Sequence, residues 1–595
     1  MSDAPRPGQP VAIYDGRCGF CRLWIDNWRE LTSDHVHFLT SEQAEGQFPQ
    51  ISREEYARAI QLALPDGTVL SGAHAVYQLL SYAPGRSWPL KAYAAIPGFA
   101  AVSEWAYRFI AAHRSLFYWV TVLLFGREIR PARYHWVEWV FLRALALVYL
   151  VAFVSIGVQI RGLIGSRGIL PVRTFLTAAT DALGAGTVWH QFPTLFWFWH
   201  TDTALVSTCV AGAALAVVLL LGFFERGCLI ALYLLYLSIC SVGQDFLSFQ
   251  WDLLLLEAGF LAIFLGSSHL IVWMFRVLVF RLMFSSGAVK LLSGDPTWRS
   301  FRAMMYHYFT QPIPNPVAWY AQQLPGWFQQ WSTAAVLVVE LVTPFFIFLP
   351  RRLRLLGAAC LIGLQVLILL TGNFAFFNWL SIALCLFLLD DRLFPLRAPP
   401  GKLRITRRAV AIVAAVLVLT LGTLQFSATL GAPLTGPAAD LVRITQPFGI
   451  VNTYGLFAVM TTQRLEITVQ GSNDGVNWLT YEFKYKPGPL WRPPPWVAPH
   501  QPRLDWQMWF AALSTLQGSP WFVNFAVRLL EGSPDVIALL NNNPFPHAPP
   551  RYVRALASQY RFTDWDQRRT TGNWWTAEPA GVYLRPISLA DIVGR

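Results

Sequence analysis

Two groups of residues in this chain have types and spacings suited to chemistry. Cys18 and Cys21 stand three apart in YDGRCGFC, with Asp15 three residues before the first. A C-x-x-C at the turn from a strand into a helix is the spacing of thiol–disulfide exchange. Helix N-terminal amides stabilise a thiolate at the first cysteine, and the second lies one turn on as the resolving thiol. The same pair could be half of a zinc site, but His35 and His37 are the only nearby residues that could complete it. No metal is therefore expected.

The second group is ionic and sits in apolar surroundings. Arg276, Arg281 and Lys290 interrupt the run His269–Leu292, which closes at Asp295-Pro296, where proline restrains the residue before it and a helix should stop. Asp252 and Glu257 open and enter the apolar run before it. A charge at membrane depth is expensive unless it faces the bundle interior or a wet cavity. Arg276 and Lys290 stand within about 40° of one another at 100° per residue, and one cationic face carrying all three residues is the expectation. Asp252 and Glu257, expected on similar faces, could pair with any of the three. Two readings follow: an ion-pair network that fixes helix packing, or a reactive site with Lys290 as general base. Glu340 and Asn378 are further buried polar residues, expected to hydrogen-bond between helices. His500, Arg503 and Asp505 cluster after a proline-rich stretch without an accompanying nucleophile, so a salt-bridged turn is the simpler expectation.

The elements that position these groups follow from composition. The chain has 595 residues, 54% hydrophobic and 13% charged, with 26 Trp and 42 Phe, which indicates a multi-pass α-helical membrane protein with soluble parts. The net charge of +12 comes from basic residues in short loops beside apolar runs, so it reports orientation, and no nucleic-acid partner is expected. Seven cysteines are too few for a disulfide scaffold, and five of them lie in or near apolar runs. MSDAPRPGQP carries no apolar stretch, so no cleavable signal is expected. No phosphate loop, serine elbow or H-E-x-x-H occurs, and no cofactor is expected.

VAIY reads as a short buried strand and RLWIDNWREL as a helix, giving an α/β domain over residues 1–133. Apolar runs from Val137–Gln159 to Ala409–Leu430 give about nine spans in residues 134–430. Several, among them Leu253–Gly266 and Phe374–Leu389, are shorter than the ~20 residues of a comfortable span. LFYWVTVLLFG (Leu116–Gly126) is too short to cross and should lie on the membrane or pack against it. The basic stretches from Pro350 and Asp390 belong inside, which by alternation puts the N-terminal domain inside and everything after Leu430 outside. Residues 431–595 read as a β-rich domain with inserted helices. RLEITVQGSNDGVNWLTYEFKYK is a hairpin turning at Asp474-Gly475, RLDWQMWFAALSTL and PWFVNFAVRLL are amphipathic helices, and Tyr552–Phe562 and Gly581–Ile587 return as strands. The dense aromatics there, Trp506 and Trp509 included, combine core, membrane belt and an apolar surface for incompletely folded clients, with His500, Arg503 and Asp505 as further candidate client contacts.

Three resemblances add to this reading. YDGRCGFC and LPDGTVLSGAHAVYQLL (Leu64–Leu80) resemble the DCC family of thiol–disulfide oxidoreductases, which implies a thioredoxin-like domain with Asp15, Cys18 and Cys21 as its motif. No equivalent stands out of the proline that faces the cysteines in thioredoxins. RGLIGSRGILPV (Arg161–Val172), FQWDLLLLEAGFLAIFLG (Phe249–Gly266), FRLMFSSGAVKLLSGDPTW (Phe280–Trp298), HYFTQPIPNPVAWY (His307–Tyr320), FGIVNTYGLFAVMTT (Phe448–Thr462) and HQPRLDWQMWFAAL (His500–Leu513) are similar to the lipase maturation factor family. That resemblance implies a membrane-bound chaperone for exported lipases or other hydrolases. The fused DCC domain suggests a bacterial inner-membrane protein, with a thiol redox partner in addition. SSGAVKLLSGD is also similar, over a short stretch, to the segment with the basic lysine of vitamin K-dependent carboxylase, which would make Lys290 catalytic.

Overall fold

The computed structural model of the chain describes residues 8–48, 51–394 and 408–593. The basic stretch that weighed in the orientation argument falls partly on 395–407, outside the described residues. Two compact units emerge: Met1–Arg133 with Phe348–Leu356, and Tyr134–Ile347 with Gly357–Arg595.

The first unit is built on a four-stranded sheet of β1 (Val11–Tyr14), β2 (His37–Thr40), β3 (Gln61–Ala63) and β4 (Val69–Ser71), in the order β2-β1-β3-β4. β1 runs parallel to β2 and antiparallel to β3, and β3 runs antiparallel to β4. Successive side chains of a strand point to opposite faces, so central β1 feeds two apolar layers. Ala12 joins Ile25, Leu62, Ala75 and Leu79 on one side. Val11 and Ile13 join Leu39, Ile51 and Tyr56 on the other. Ile25 comes from α1 (Gly19–Thr32), and Ala75 and Leu79 from α2 (Gly72–Ser81). A short helix at Trp88–Ala95 follows, and then α3 (Phe99–Ala112) and α4 (Arg114–Phe125).

The second unit begins with α5 (His135–Gly157), α6 (Asp202–Leu221), α7 (Glu225–Val242), α8 (Gln250–Ala262) and α9 (His269–Leu292). It continues with α10 (Gly326–Leu341), α11 (Arg351–Thr371), which straddles the unit boundary, α12 (Phe377–Cys385) and α13 (Arg408–Thr429). Seven are long and apolar enough to cross a membrane, α10 together with the 3-10 turn that carries it on to Phe348; α8, at 13 residues, and α12, at 9, are not. The expectation of about nine spans counted both. Most of their residues are buried in the protein, although Trp379 of α12 is exposed, and a helix packed mainly against protein has little need to match the bilayer thickness. The helices alternate in direction all the same. The end of α5, the segment before α8 and the end of α9 all bond to residues beyond 450, through Gln501, Arg503 and Ala458. At the far side, Arg226 near the start of α7 donates to the Ile263 carbonyl just past α8, and the first amides of α5 donate to Asp391 beyond α12.

The same unit carries an antiparallel sheet in the order β6-β5-β7-β8, formed by β5 (Arg464–Ser472), β6 (Leu479–Tyr481), β7 (Tyr552–Phe562) and β8 (Trp575–Ile587). Between β5 and β6, Gly475 takes φ +76°, a conformation that glycine adopts without steric penalty. The helices α14 (Arg503–Ala512) and α15 (Pro520–Leu530) are inserted between β6 and β7.

Candidate functional site

Cys18 is the N-cap of α1, and its sulfur accepts the backbone N–H of Cys21 at 3.3 Å. The turn that presents it is closed by Asp15, whose carbonyl accepts from the Cys18 amide and whose side chain accepts from the Arg17 amide at 2.9 Å. Arg114, from the start of α4, stands 3.5 Å from the Asp15 carboxylate. The hydrogen bonds from Cys21, and then the Arg114 charge, outweigh burial and Asp15 and bring the Cys18 thiol down to about 6. The hydrogen bond with Cys18, burial and the neighbouring thiolate push Cys21 far up. One thiol is thus poised to attack and the other to wait. Arg114 was not visible from sequence, because nothing local links it to a motif almost a hundred residues earlier.

The ionic residues do not form one cationic face. At 100° per residue, a five-residue step turns a side chain by about 140°, so Arg281 looks away from both Arg276 and Lys290. The same step separates Asp252 from Glu257. Glu257 pairs with Arg281 at 2.7 Å and accepts from the Tyr454 hydroxyl at 2.7 Å and the Asn452 amide at 2.9 Å. Arg281 also donates to the Asn452 carbonyl. Asp252 takes a partner from outside the membrane helices: Arg503 donates to both of its oxygens at 2.8 Å, and the Tyr236 hydroxyl donates as well. Arg276 bonds the Phe387 carbonyl and the Tyr134 hydroxyl, with Trp273 stacked 4.8 Å from its guanidinium. Lys290 donates to Glu340 at 2.7 Å and to the Ser286 and Leu456 carbonyls at 3.1 Å, which uses all three ammonium N–H groups. Asp295 caps the next turn and accepts from the Met460 amide at 2.6 Å. A carboxylate or cation at this depth is stable only when its partners are this complete.

His500, Arg503 and Asp505 do not make a salt-bridged turn, because each reaches a different element. His500 lies 2.9 Å from the Ser155 hydroxyl on α5, and burial, Arg503 and Lys484 hold its ring down to about 4. Asp505 accepts the Tyr485 and Lys486 amides at 2.8 Å, and burial pushes its carboxyl up in spite of them. Trp506 is buried against Trp251, ring centroids 4.7 Å apart, while half-buried Trp509 donates to the Thr310 carbonyl at 2.8 Å. Both tryptophans line a cavity of about 730 Å³ with Lys290, Glu340, His307 and Phe374. The cavity is therefore where the ionic network and the C-terminal aromatics meet. Asn452, Tyr454 and His307 carry no periodic signal that would mark them in sequence, although all three fall in the unusual strings quoted above.

Comparison with known proteins agrees with this layout. The profile described as lipase maturation factor transmembrane domain matches residues 136–396, and the lipase maturation factor C-terminal domain matches residues 450–585. The DCC1-like thiol-disulfide oxidoreductase profile matches residues 12–120. Lipase maturation factor 1 of Mus musculus is 36% identical over 518 residues, covering 78% of this chain and 90% of that protein. Lipase maturation factor 2 of Gallus gallus is 35% identical over 584 residues, covering 76% and 81%. No solved structure matches the chain. With most of the helices, nearly all of the sheet domain and both ends of the Asp252–Arg503 and Glu257–Asn452 bonds inside the matched regions, the chain belongs to the lipase maturation factor family.

Proposed function

We propose that this protein is a membrane-bound maturation factor that helps exported lipases, or related hydrolases, reach their active fold. The observation that supports this most directly is the match to relatives named lipase maturation factor, which extends through both the helices and the C-terminal domain. Residues 134–430 serve as the membrane domain and 431–595 as the client-facing domain, with Trp509 and exposed Phe510 of the cavity lining as client contacts. Residues 1–133 form a thioredoxin-like module, a reading supported by the parallel β1–β2 pair joined to the antiparallel β3–β4 pair. In that module the Cys18 thiolate attacks a disulfide and releases one thiolate. The Cys21 thiol then loses its proton and displaces the second, leaving the substrate reduced and Cys18–Cys21 oxidised.

The inner membrane of a bacterial cell is the proposed location, with the N-terminal module in the cytoplasm and the sheet domain outside. A cytoplasmic dithiol does not meet exported disulfides, so Cys18→Ser is expected to leave client yield nearly unchanged unless a membrane partner relays electrons. Trp509→Ala with Phe510→Ala is expected to lower the yield of active secreted lipase several-fold at unchanged amounts of this protein. Normal yield from that double variant would contradict the client-facing role. Labelling of Cys18 by a membrane-impermeant maleimide in intact cells would reverse the orientation.

A further inference from the structure

His307 is the odd group in the cavity. It is 9% exposed, its ring nitrogens make no hydrogen bond, and it borders the open volume beside Phe374 and Phe457, with centroids 6.3 and 5.2 Å away. Leaving a buried polar group unpaired costs about 1–3 kcal/mol, so something in the cavity should satisfy it. Burial and the Lys290 charge hold the ring neutral down to about pH 4, and a neutral imidazole offers one donor and one acceptor. The Asn378 carbonyl oxygen and the indole N–H groups of Trp251 and Trp506, from the same lining, are also without partners.

The charge already present limits the occupant. Lys290 and Glu340 neutralise each other at 2.7 Å; an added anion would meet Glu340 and an added cation Lys290, each in a partly dry site. The shape limits it further. His307, Lys290 and Glu340 lie toward the C-terminal domain, while Leu282, Met283 and Ile368 line the cavity from the spanning helices, where Gln365 and Asn378, 2.8 Å apart, bond to each other beside Met283. Leu282 sits eight residues before Lys290 on α9, about 12 Å deeper along the helix. A volume of about 730 Å³ suits one small amphiphile, within the ~300–1,000 Å³ common for such sites.

We propose that the cavity binds a neutral single-chain lipid, its hydroxyl or ester carbonyl hydrogen-bonded to His307 and its acyl chain running between Leu282, Met283 and Ile368. The head-out, tail-in polarity is that of a bilayer lipid, so entry from the membrane needs no inversion. This binding uses His307, Leu282, Met283 and Ile368 rather than the proposed client contacts Trp509 and Phe510, and does not involve the cysteines.

The test uses the full chain in phosphatidylcholine nanodiscs, with monoolein as probe and oleate as its anionic counterpart, bound lipid being counted by native mass spectrometry. Wild type should retain one monoolein and bind oleate more weakly. His307→Phe should weaken monoolein binding by about five- to tenfold, the value of one buried hydrogen bond. His307→Gln, which keeps a donor and an acceptor, should stay within about twofold. Met283→Trp should fill the tail region and abolish retention. Thermal unfolding of each variant separates lost binding from lost fold. Failure of wild type to retain monoolein, equal binding by His307→Phe and Met283→Trp, or tighter binding of oleate would each overturn the proposal.

Discussion

The cysteine site and the buried ionic network are built on opposite plans. Cys18, Cys21 and Asp15 lie within seven consecutive residues, and their geometry comes from one turn and the first amides of one helix. Arg114 is borrowed from elsewhere. Asp252 and Glu257, five residues apart on α8, draw Arg281 from α9, Tyr236 from α7, and Arg503, Asn452 and Tyr454 from beyond residue 450. A local site sets the reactivity of one atom. A distributed one welds the helices to the extramembrane domain, because each buried charge is stable only while its distant partner is in place.

Breaking the network should have the largest effect. Asp252→Ala strands the Arg503 guanidinium, which is fully buried, and should destabilise the protein by about 3–5 kcal/mol, read as a fall in yield and in unfolding temperature in detergent. Asp252→Leu with Arg503→Met should recover more than half of that loss; no recovery would show that the pair is needed for more than mutual neutralisation. For the same reason, removing Phe448–Arg595 should misfold the helices themselves, since Asp252 and Glu257 would lose Arg503, Asn452 and Tyr454. That deletion therefore reports on folding, and point changes at Trp509 and Phe510 are the cleaner probe of clients.

The cysteine site should break without such damage. Cys18→Ser should abolish rapid alkylation and thiol–disulfide exchange while shifting the unfolding temperature by no more than about 2 °C. In wild type, iodoacetamide labelling of Cys18 should rise with pH to half its maximum near 6, because the thiolate is the reacting form, whereas Cys21 stays unlabelled in the same range. The smallest effect belongs to Arg114→Ala. Losing a cation that favours the thiolate should move that midpoint upward by about half a pH unit; an unmoved midpoint would leave the Cys21 hydrogen bonds as the whole cause.

How much of this was legible in the sequence divides along the same line. The strand, turn and helix around Cys18 were readable because they are fixed by a dozen neighbouring residues. The hairpin at Gly475 and the strand Tyr552–Phe562 were readable for the same reason. The ionic residues announced themselves as misplaced charges, but their partners did not. The shared face expected for Arg276, Arg281 and Lys290 fails on the helical period itself, and the expected turn at His500–Asp505 opens into three separate attachments. Both short segments, α8 and α12, read as spans because hydropathy cannot distinguish a helix buried in protein from one buried in lipid.

The sequence alone settled that the chain is a multi-pass membrane protein with an α/β domain before the helices and a sheet after them, since composition and local periodicity are properties of neighbouring residues. Tertiary structure alone decided that Arg503 belongs to Asp252, that Lys290 is closed off by Glu340, and that His307 is left facing an open cavity. Those outcomes depend on which distant segments arrive at the same point, and burial makes each pairing decisive: in a medium that cannot solvate charge, a partner hundreds of residues away determines whether a side chain is a fastener or a site.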